Sequence, residues 1–296
     1  MMPRAVGVRE DAGAPLRTSL YLAAVIVHLI DGTYELFRHF YGIRRGSSTP
    51  SPYSAVAGVL NTVAQMLETG ATHIAVATDH VVESFRNELW PAYKTGAGID
   101  PLLWAQFHPL ETALAGMGVV TWPMVDLEAD DALASAAYLA ARDERVEKVC
   151  IWTPDKDLAQ CVVGERVVQV DRKSGRIRGA DGVREKFGVT PKLIPDFLAL
   201  VGDAADGYPG IPKFGVKTAA RTLERYGAIE QFPASVLGDH LEHALLFKHL
   251  ATLRTDAALF ADVDELRWTG PAPEFERVAA AIGDARLAGR VAGIAK

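Results

Sequence analysis

Four apolar, strand-like runs that each end in acidic residues constrain this chain more than any other feature. They are AAVIVHLID, ending at Asp31; THIAVATD, ending at Asp79; GVVTWPMVDLEADD, ending at Glu128, Asp130 and Asp131; and KVCIWTPDKD, ending at Asp155 and Asp157. Helix-like stretches over 54–69, 101–116 and 132–142 separate them, the last, ALASAAYLAAR, being rich in helix formers. Strands alternating with helices predict an α/β domain with a mostly parallel central sheet flanked by helices. In such a sheet the C-terminal ends of the strands open on one edge, where ligands bind. The acids, distant in sequence, are therefore expected to meet there.

Each acid alone has a plain structural role. Glu128, Asp130 and Asp131 stand where a helix starts, and Asp155 or Asp157 can cap the turn after TPDKD. Together they need more, because carboxylates gathered at one sheet edge repel one another unless cations neutralise them. Oxygen ligands without matching His or Cys select a hard ion, Mg²⁺ or Mn²⁺. Two such ions about 3.5–4 Å apart suit an in-line phosphoryl displacement. The net charge of −6 argues against a non-specific nucleic-acid binder, but acids sequestered around cations weaken that argument.

From about residue 189 the pattern changes to helices only. The stretch GDAADGYPGIPKFGVKTAARTLERYG reads as an acidic turn holding Asp203 and Asp206, then a Gly/Pro-rich hairpin and a helix. A last amphipathic helix is expected near 274–282. Residues 1–18 read as a loose tail. The apolar run 20–30 is too short to span a membrane and lacks a cleavage site. Cys150 and Cys161 fit neither a zinc site nor a disulfide scaffold, so a cytoplasmic (bacterial cytoplasm or nucleoid) location is expected.

LIDGTYELFR carries the second half of the D-x-D-G-T motif of haloacid-dehalogenase phosphatases, but Leu29 stands where the nucleophile belongs. The blocks LIDGTYELFR, ATD…SFR…AYK, LEADDALAS, TPDKDLAQ and GDAADGYPGIPKFGVKTA instead resemble, in order, those of the 5′-nuclease family. That family includes the N-terminal domain of bacterial DNA polymerase I, phage flap endonucleases and stand-alone 5′→3′ exonucleases. The resemblance implies a PIN-like domain over 19–188 with an arch or gateway at about 80–105. A helix–three-turn–helix DNA-binding element and C-terminal helices follow over 189–296.

It carries metal-ligand roles onto Asp31, Asp79, Glu128, Asp130, Asp131, Asp155, Asp157, Asp203 and Asp206, for two Mg²⁺ (or Mn²⁺) ions. It gives Arg86 and Lys94 an approach to the scissile phosphate, with Tyr93 placed to stack on a base. Gly210, Lys213, Gly215, Lys217, Thr218 and Arg221, with Arg225 nearby, fit a duplex-phosphate platform at a helix N-terminus. Three departures stand out: Ala97 where the family has Arg, Gly207 where it has Asn, and Lys213 where it has Gly. The last puts in doubt a K⁺ ion that such hairpins hold.

The expected function is a stand-alone, metal-dependent 5′→3′ exonuclease and 5′-flap endonuclease, monomeric and without a membrane partner. It would act on DNA ends, flaps, nicked or branched duplex, or an RNA–DNA hybrid. The alternatives are a PIN-like ribonuclease and a catalytically weak, structure-specific DNA-binding protein.

Overall fold

The computed structural model describes residues 24–44 and 51–295. The expected tail 1–18 lies outside them. The chain order begins β1 (Val25–Asp31), α1 (Gly32–Arg44), α2 (Ser54–Glu68), β2 (His73–Asp79), α3 (Arg86–Leu89), α4 (Pro101–Trp104), α5 (Phe107–Gly116), β3 (Val120–Met124), α6 (Ala129–Ala140) and β4 (Val146–Trp152). Two strands without a counterpart in the sequence reading follow, β5 (Val167–Asp171) and β6 (Arg176–Arg178), then α7 (Ala180–Phe187). The remaining helices are α8 (Ile194–Val201), α9 (Val216–Tyr226), α10 (Ala234–Leu237), α11 (Leu241–Ala251), α12 (Phe275–Ala281) and α13 (Ala285–Ile294).

The six strands form one sheet in the order β3-β2-β1-β4-β5-β6, parallel except for the antiparallel β6. The expected α/β class is what forms. Asp31 pairs in register with Ala77, and Ile30 with Trp152, so β1, β2 and β4 end level with one another. Alternation sends Ile30, Ile74 and Val76 into a core beneath α1, α2 and α5. Val27, Leu29, Ala75, Ala77, Val149 and Ile151 enter the opposite core beneath α6, whose small Ala132, Ala136 and Ala140 let it lie close to the sheet.

The expected helix over 101–116 is two helices. Asp100 caps the first, its side chain accepting from Leu102 N–H at 2.9 Å with Pro101 at the first helical position. Gln106, between the two, is buried, and its Oε1 accepts the N–H groups of Ala55 and Val56 at 3.1 and 3.3 Å. It thereby supplies the N-terminus of α2 with acceptors that its own sequence lacks.

A third core joins Val183 and Phe187 of α7 to α8, α9 and α11. The chain then returns. Leu253, Val263 and Leu266 enter the α6 core, and Phe275, Ala279, Leu287 and Val291 enter the α2–α5 core. The last helices, grouped in sequence with the helical element, thus pack on the sheet domain. Their apolar stripes have a large half-open core to cover there, and Trp268 fixes the return by donating from Nε1 to Met117 O at 2.9 Å.

Candidate metal centre

The sheet's C-terminal edge is built from short polar anchors. Gly32 opens α1 immediately after Asp31, so tightly against β2 that a β-carbon would sit 2.6 Å from Val76 Cγ1 and 2.9 Å from Ala77 O. Asp31 Oδ1 accepts from Tyr34 N–H at 2.8 Å, and Thr153 Oγ1 donates to Asp31 Oδ2 at 3.0 Å. Thr33 Oγ1 accepts from Asp79 N–H at 2.9 Å, while Asp79 Oδ1 accepts from Ala129 N–H at 2.8 Å. The loop after β4 is set by Gln169, which donates to Asp155 O at 2.5 Å, and by Asp157 N–H, which donates to Asp155 Oδ1 at 3.2 Å.

The helical element brings its own acids. Asp203 and Tyr208 form an antiparallel bridge that closes the 203–208 turn, and Lys156 Nζ pairs with Asp203 Oδ2 at 2.6 Å across the two elements. Oxygen atoms of Asp157, Asp203 and Asp206 lie within 4.8 Å of one another.

The electrostatics show one cluster. Burial pushes the Asp31 carboxyl up to about 7; Tyr34 N–H works against this, and Asp79 and Asp155 add to it. Burial, opposed by Lys94 and reinforced by Asp203 and Glu128, puts Asp206 at about 6. Burial, followed by the charge of Asp155, raises Asp130 and Asp157 well above the carboxylate range, and burial raises Asp79. Eight of the nine predicted acids, all but Asp131, thus feel one another at this edge.

Lys94 lies among them, its Nζ 2.7 Å from Glu128 Oε2 and 3.6 Å from Asp206 Oδ1. Burial alone would lower its pKa, but Glu128 and Asp206 outweigh it and hold the ammonium charged. Glu128, whose burial is outweighed by Lys94 and Arg86, titrates below its ordinary value.

Three of the predicted residues are engaged within the protein. Asp131 is fully buried, and both its oxygens are engaged: Oδ1 by Arg86 Nη2 and Arg254 N–H, Oδ2 by Arg86 Nη1 and Glu128 N–H. Arg86 is fully buried, paired to Asp131 at 2.7 Å, and donates from Nε to Leu250 O at 2.8 Å. Tyr93 is buried, with its hydroxyl 3.4 Å from Glu128 Oε2. Ser84, which donates to Glu128 Oε1 at 2.6 Å, together with Thr153, Lys156 and Tyr208, was not singled out from sequence. For Ser84 and Thr153 the available signal was a small hydroxyl residue near an acidic motif.

Gly210 is buried with φ +73°, whereas Lys213, Gly215, Lys217, Thr218 and Arg221 are exposed around the N-terminus of α9. No side chain caps that terminus. Lys213 adopts φ +73°, a left-handed conformation otherwise confined to glycines among the described residues.

The donor set fits hard divalent ions. All its atoms are carboxylate oxygens, and buried Asp157 Oδ1 has no hydrogen-bond partner among the described residues. A buried acceptor left unpaired is costly, and a cation or its water would satisfy it.

Family profiles match both parts of the chain: 5′-3′ exonuclease, N-terminal resolvase-like domain, over residues 26–188, and 5′-3′ exonuclease, C-terminal SAM fold, over residues 189–274. The 5′-3′ exonuclease of Buchnera aphidicola from Acyrthosiphon pisum is 31% identical over 78% of this chain and 87% of its own length. DNA polymerase I of Pseudomonas aeruginosa is 35% identical over 80% of this chain, which spans 28% of that longer protein. Among solved structures, the T5 5′-exonuclease with bound zinc has 18% identity and a TM-score of 0.63, covering 91% of this chain and 98% of its own. Flap endonuclease-1 from Methanococcus jannaschii has 17% identity and a TM-score of 0.62, covering 92% and 93%. At that identity these two speak to the fold alone.

Proposed function

This chain belongs to the 5′-3′ exonuclease family, and we propose that it hydrolyses DNA phosphodiester bonds from 5′ ends and at 5′ flaps, using two divalent ions. The observation that carries this is the meeting of Asp31, Asp79, Glu128, Asp130 and Asp155 of the sheet domain with Asp203 and Asp206 of the helical element, around Asp157 and Lys94. We divide the chain into its two functional parts at residues 188 and 189.

Asp31, Asp79, Glu128, Asp130, Asp155, Asp157, Asp203 and Asp206 would hold Mg²⁺ or Mn²⁺. Such ions supply Lewis-acid stabilisation of the attacking and leaving oxygens. The chain's own residues do the rest. Lys94 places a positive charge where a phosphate must enter, against the charge that grows on it during displacement. Arg86 acts through others, fixing Glu128 and Asp131 at the start of α6. Lys217 and Arg221, with the uncapped N–H groups of α9, grip duplex phosphates without reading bases. Contacts of that kind accept an RNA–DNA hybrid as well as DNA, and every group involved lies on one chain, so a monomer suffices.

The test uses 5′-flap, nicked-duplex and single-stranded DNA, each labelled at the 3′ end, with Mg²⁺, Mn²⁺ or EDTA. Metal-dependent cleavage, lost in Asp155→Asn and Asp157→Asn, is expected, and product lengths separate flap cutting from stepwise degradation. Salt-sensitive binding without cleavage in either metal would contradict the proposal.

A further inference from the structure

Tyr208 stands at the metal centre with no task yet assigned to it. Its N–H donates to Asp203 O at 3.0 Å and its carbonyl accepts from Asp203 N–H at 2.9 Å. Residues paired in this way project their side chains to the same face, with Cβ atoms about 4.5–5.5 Å apart. The Tyr208 side chain therefore starts beside that of Asp203, one of the three acids whose oxygens lie within 4.8 Å of one another. Its ring is 1% exposed and stacks on Phe247, centroids 5.4 Å apart with an interplanar angle of 27°, which fixes where the hydroxyl goes.

That hydroxyl has no hydrogen-bond partner among the described residues, and neither has Asp157 Oδ1. Burial, and then the charges of Asp157, Asp206 and Asp203, raise the phenol, in keeping with its start beside Asp203. Buried polar atoms are almost always paired, so an orphaned hydroxyl on the residue bridged to Asp203 and an orphaned oxygen on Asp157 point to a missing polar occupant. A hard divalent ion keeps several of its waters, and such a water has two hydrogens to donate. Tyr208 Oη and Asp157 Oδ1 are two acceptors with nothing to accept.

We infer that Tyr208 is a positioning residue for the ion held by Asp157, Asp203 and Asp206, its hydroxyl hydrogen-bonding a water of that ion's hydration shell. This rests on the proposed divalent-metal reading of the three acids.

The test is calorimetric titration of the full chain with Mn²⁺, and thermal unfolding with and without Mn²⁺, for the wild type, Tyr208→Phe and Asp157→Asn. Tyr208→Phe keeps the stack on Phe247 and removes a buried orphan, so without metal its Tm should equal or exceed that of the wild type. Its affinity for one Mn²⁺ should fall by about tenfold, as with other partners just outside a metal's ligands, and the rise in Tm on adding Mn²⁺ should shrink. Wild-type Mn²⁺ affinity in Tyr208→Phe would overturn the inference while leaving the metal reading in place. Unchanged Mn²⁺ binding in Asp157→Asn would overturn the metal reading, and the role of Tyr208 with it.

Discussion

Gly207 lies directly against the carbonyl of Ala92, so close that a β-carbon on it would collide with that oxygen. Its φ of +82° is one that other residues rarely adopt. Around this contact, Trp90 Nε1 donates to Gly207 O at 3.0 Å, and Lys94 N–H donates to Asp206 O at 3.1 Å. The segment that delivers Lys94 is thus latched onto the acidic turn. This explains why glycine replaces the Asn that the family resemblance leads one to expect.

Gly207→Asn should therefore displace the 90–94 segment. Asn tolerates left-handed backbone better than most residues, so the cost comes chiefly from the collision with Ala92 O. Displacing Lys94 by about 1 Å should slow cleavage on the order of 100-fold. Single-turnover cleavage and urea unfolding check both; a variant as active and as stable as the wild type would show that the latch has no such role.

Arg86 and Asp131 form a buried pair, so removing one partner strands a charge. Arg86→Met should destabilise the fold by about 3–5 kcal/mol, and Arg86→Met/Asp131→Leu should recover much of that loss. Denaturant unfolding of the two variants measures it. A direct phosphate contact by Arg86 would instead leave stability intact and abolish cleavage.

Lys213 holds a conformation suited to glycine, and its side chain is exposed. Lys213→Gly should stabilise the protein by about 1 kcal/mol, the strain relieved outweighing the added freedom of the unfolded chain. Losing this positive charge beside the α9 terminus should at the same time weaken duplex binding at low salt more than at high salt. Chemical unfolding and binding isotherms at two salt concentrations report the two effects separately.

His39, with Glu35 Oε2 3.7 Å from its Nε2, provides a pH signature away from the metal centre. Burial, with Arg38 and Arg172 nearby, lowers its pKa from the ordinary 6.5 to about 4. Its Nε2 is 2.9 Å from Arg38 Nη2, a group that can only donate, so the folded state requires the neutral ring. Between pH 6.5 and about 4 the unfolded chain binds a proton that the folded chain refuses. Stability should therefore fall as pH drops through that window, by on the order of 2 kcal/mol for His39 after allowance for its partial exposure. His39→Gln should remove that share of the slope in unfolding curves measured at pH 4, 5, 6 and 7.

The sheet was legible because its strands are apolar runs with acids at their tips, and both properties come from the same need to bury one end and open the other. β5 and β6 escaped notice: β6, in RIR, is only three residues, between the exposed stretch 173–175 and buried Gly179 ahead of α7. The split between α4 and α5 was invisible because Gln106 serves a distant helix, a long-range use that no local pattern records. The acidic motifs stood out in the sequence, but which acids face one another did not. Asp130 and Asp131 are adjacent on a helix and point about 100° apart, so only one can face the mouth. That geometry was available in advance; which of the two turns inward depended on Arg86, a residue 45 positions away. Gly207 and Tyr208 became meaningful only once the gateway and the bridge to Asp203 placed them.

Cleavage by Asp130→Asn tests the central claim most directly. It is measured in a single turnover on a 5′-flap substrate in Mg²⁺, with substrate binding followed in parallel. Asp130 is partly buried in repulsion with Asp155 and Asp31, so the neutral amide should fold at least as well as the acid. If these carboxylates gather the ions that drive hydrolysis, the variant should bind the flap within a few-fold of the wild type. It should cut about 1000-fold more slowly or worse, on the scale of losing a principal electrostatic contributor. Cleavage at the wild-type rate by Asp130→Asn would contradict the account.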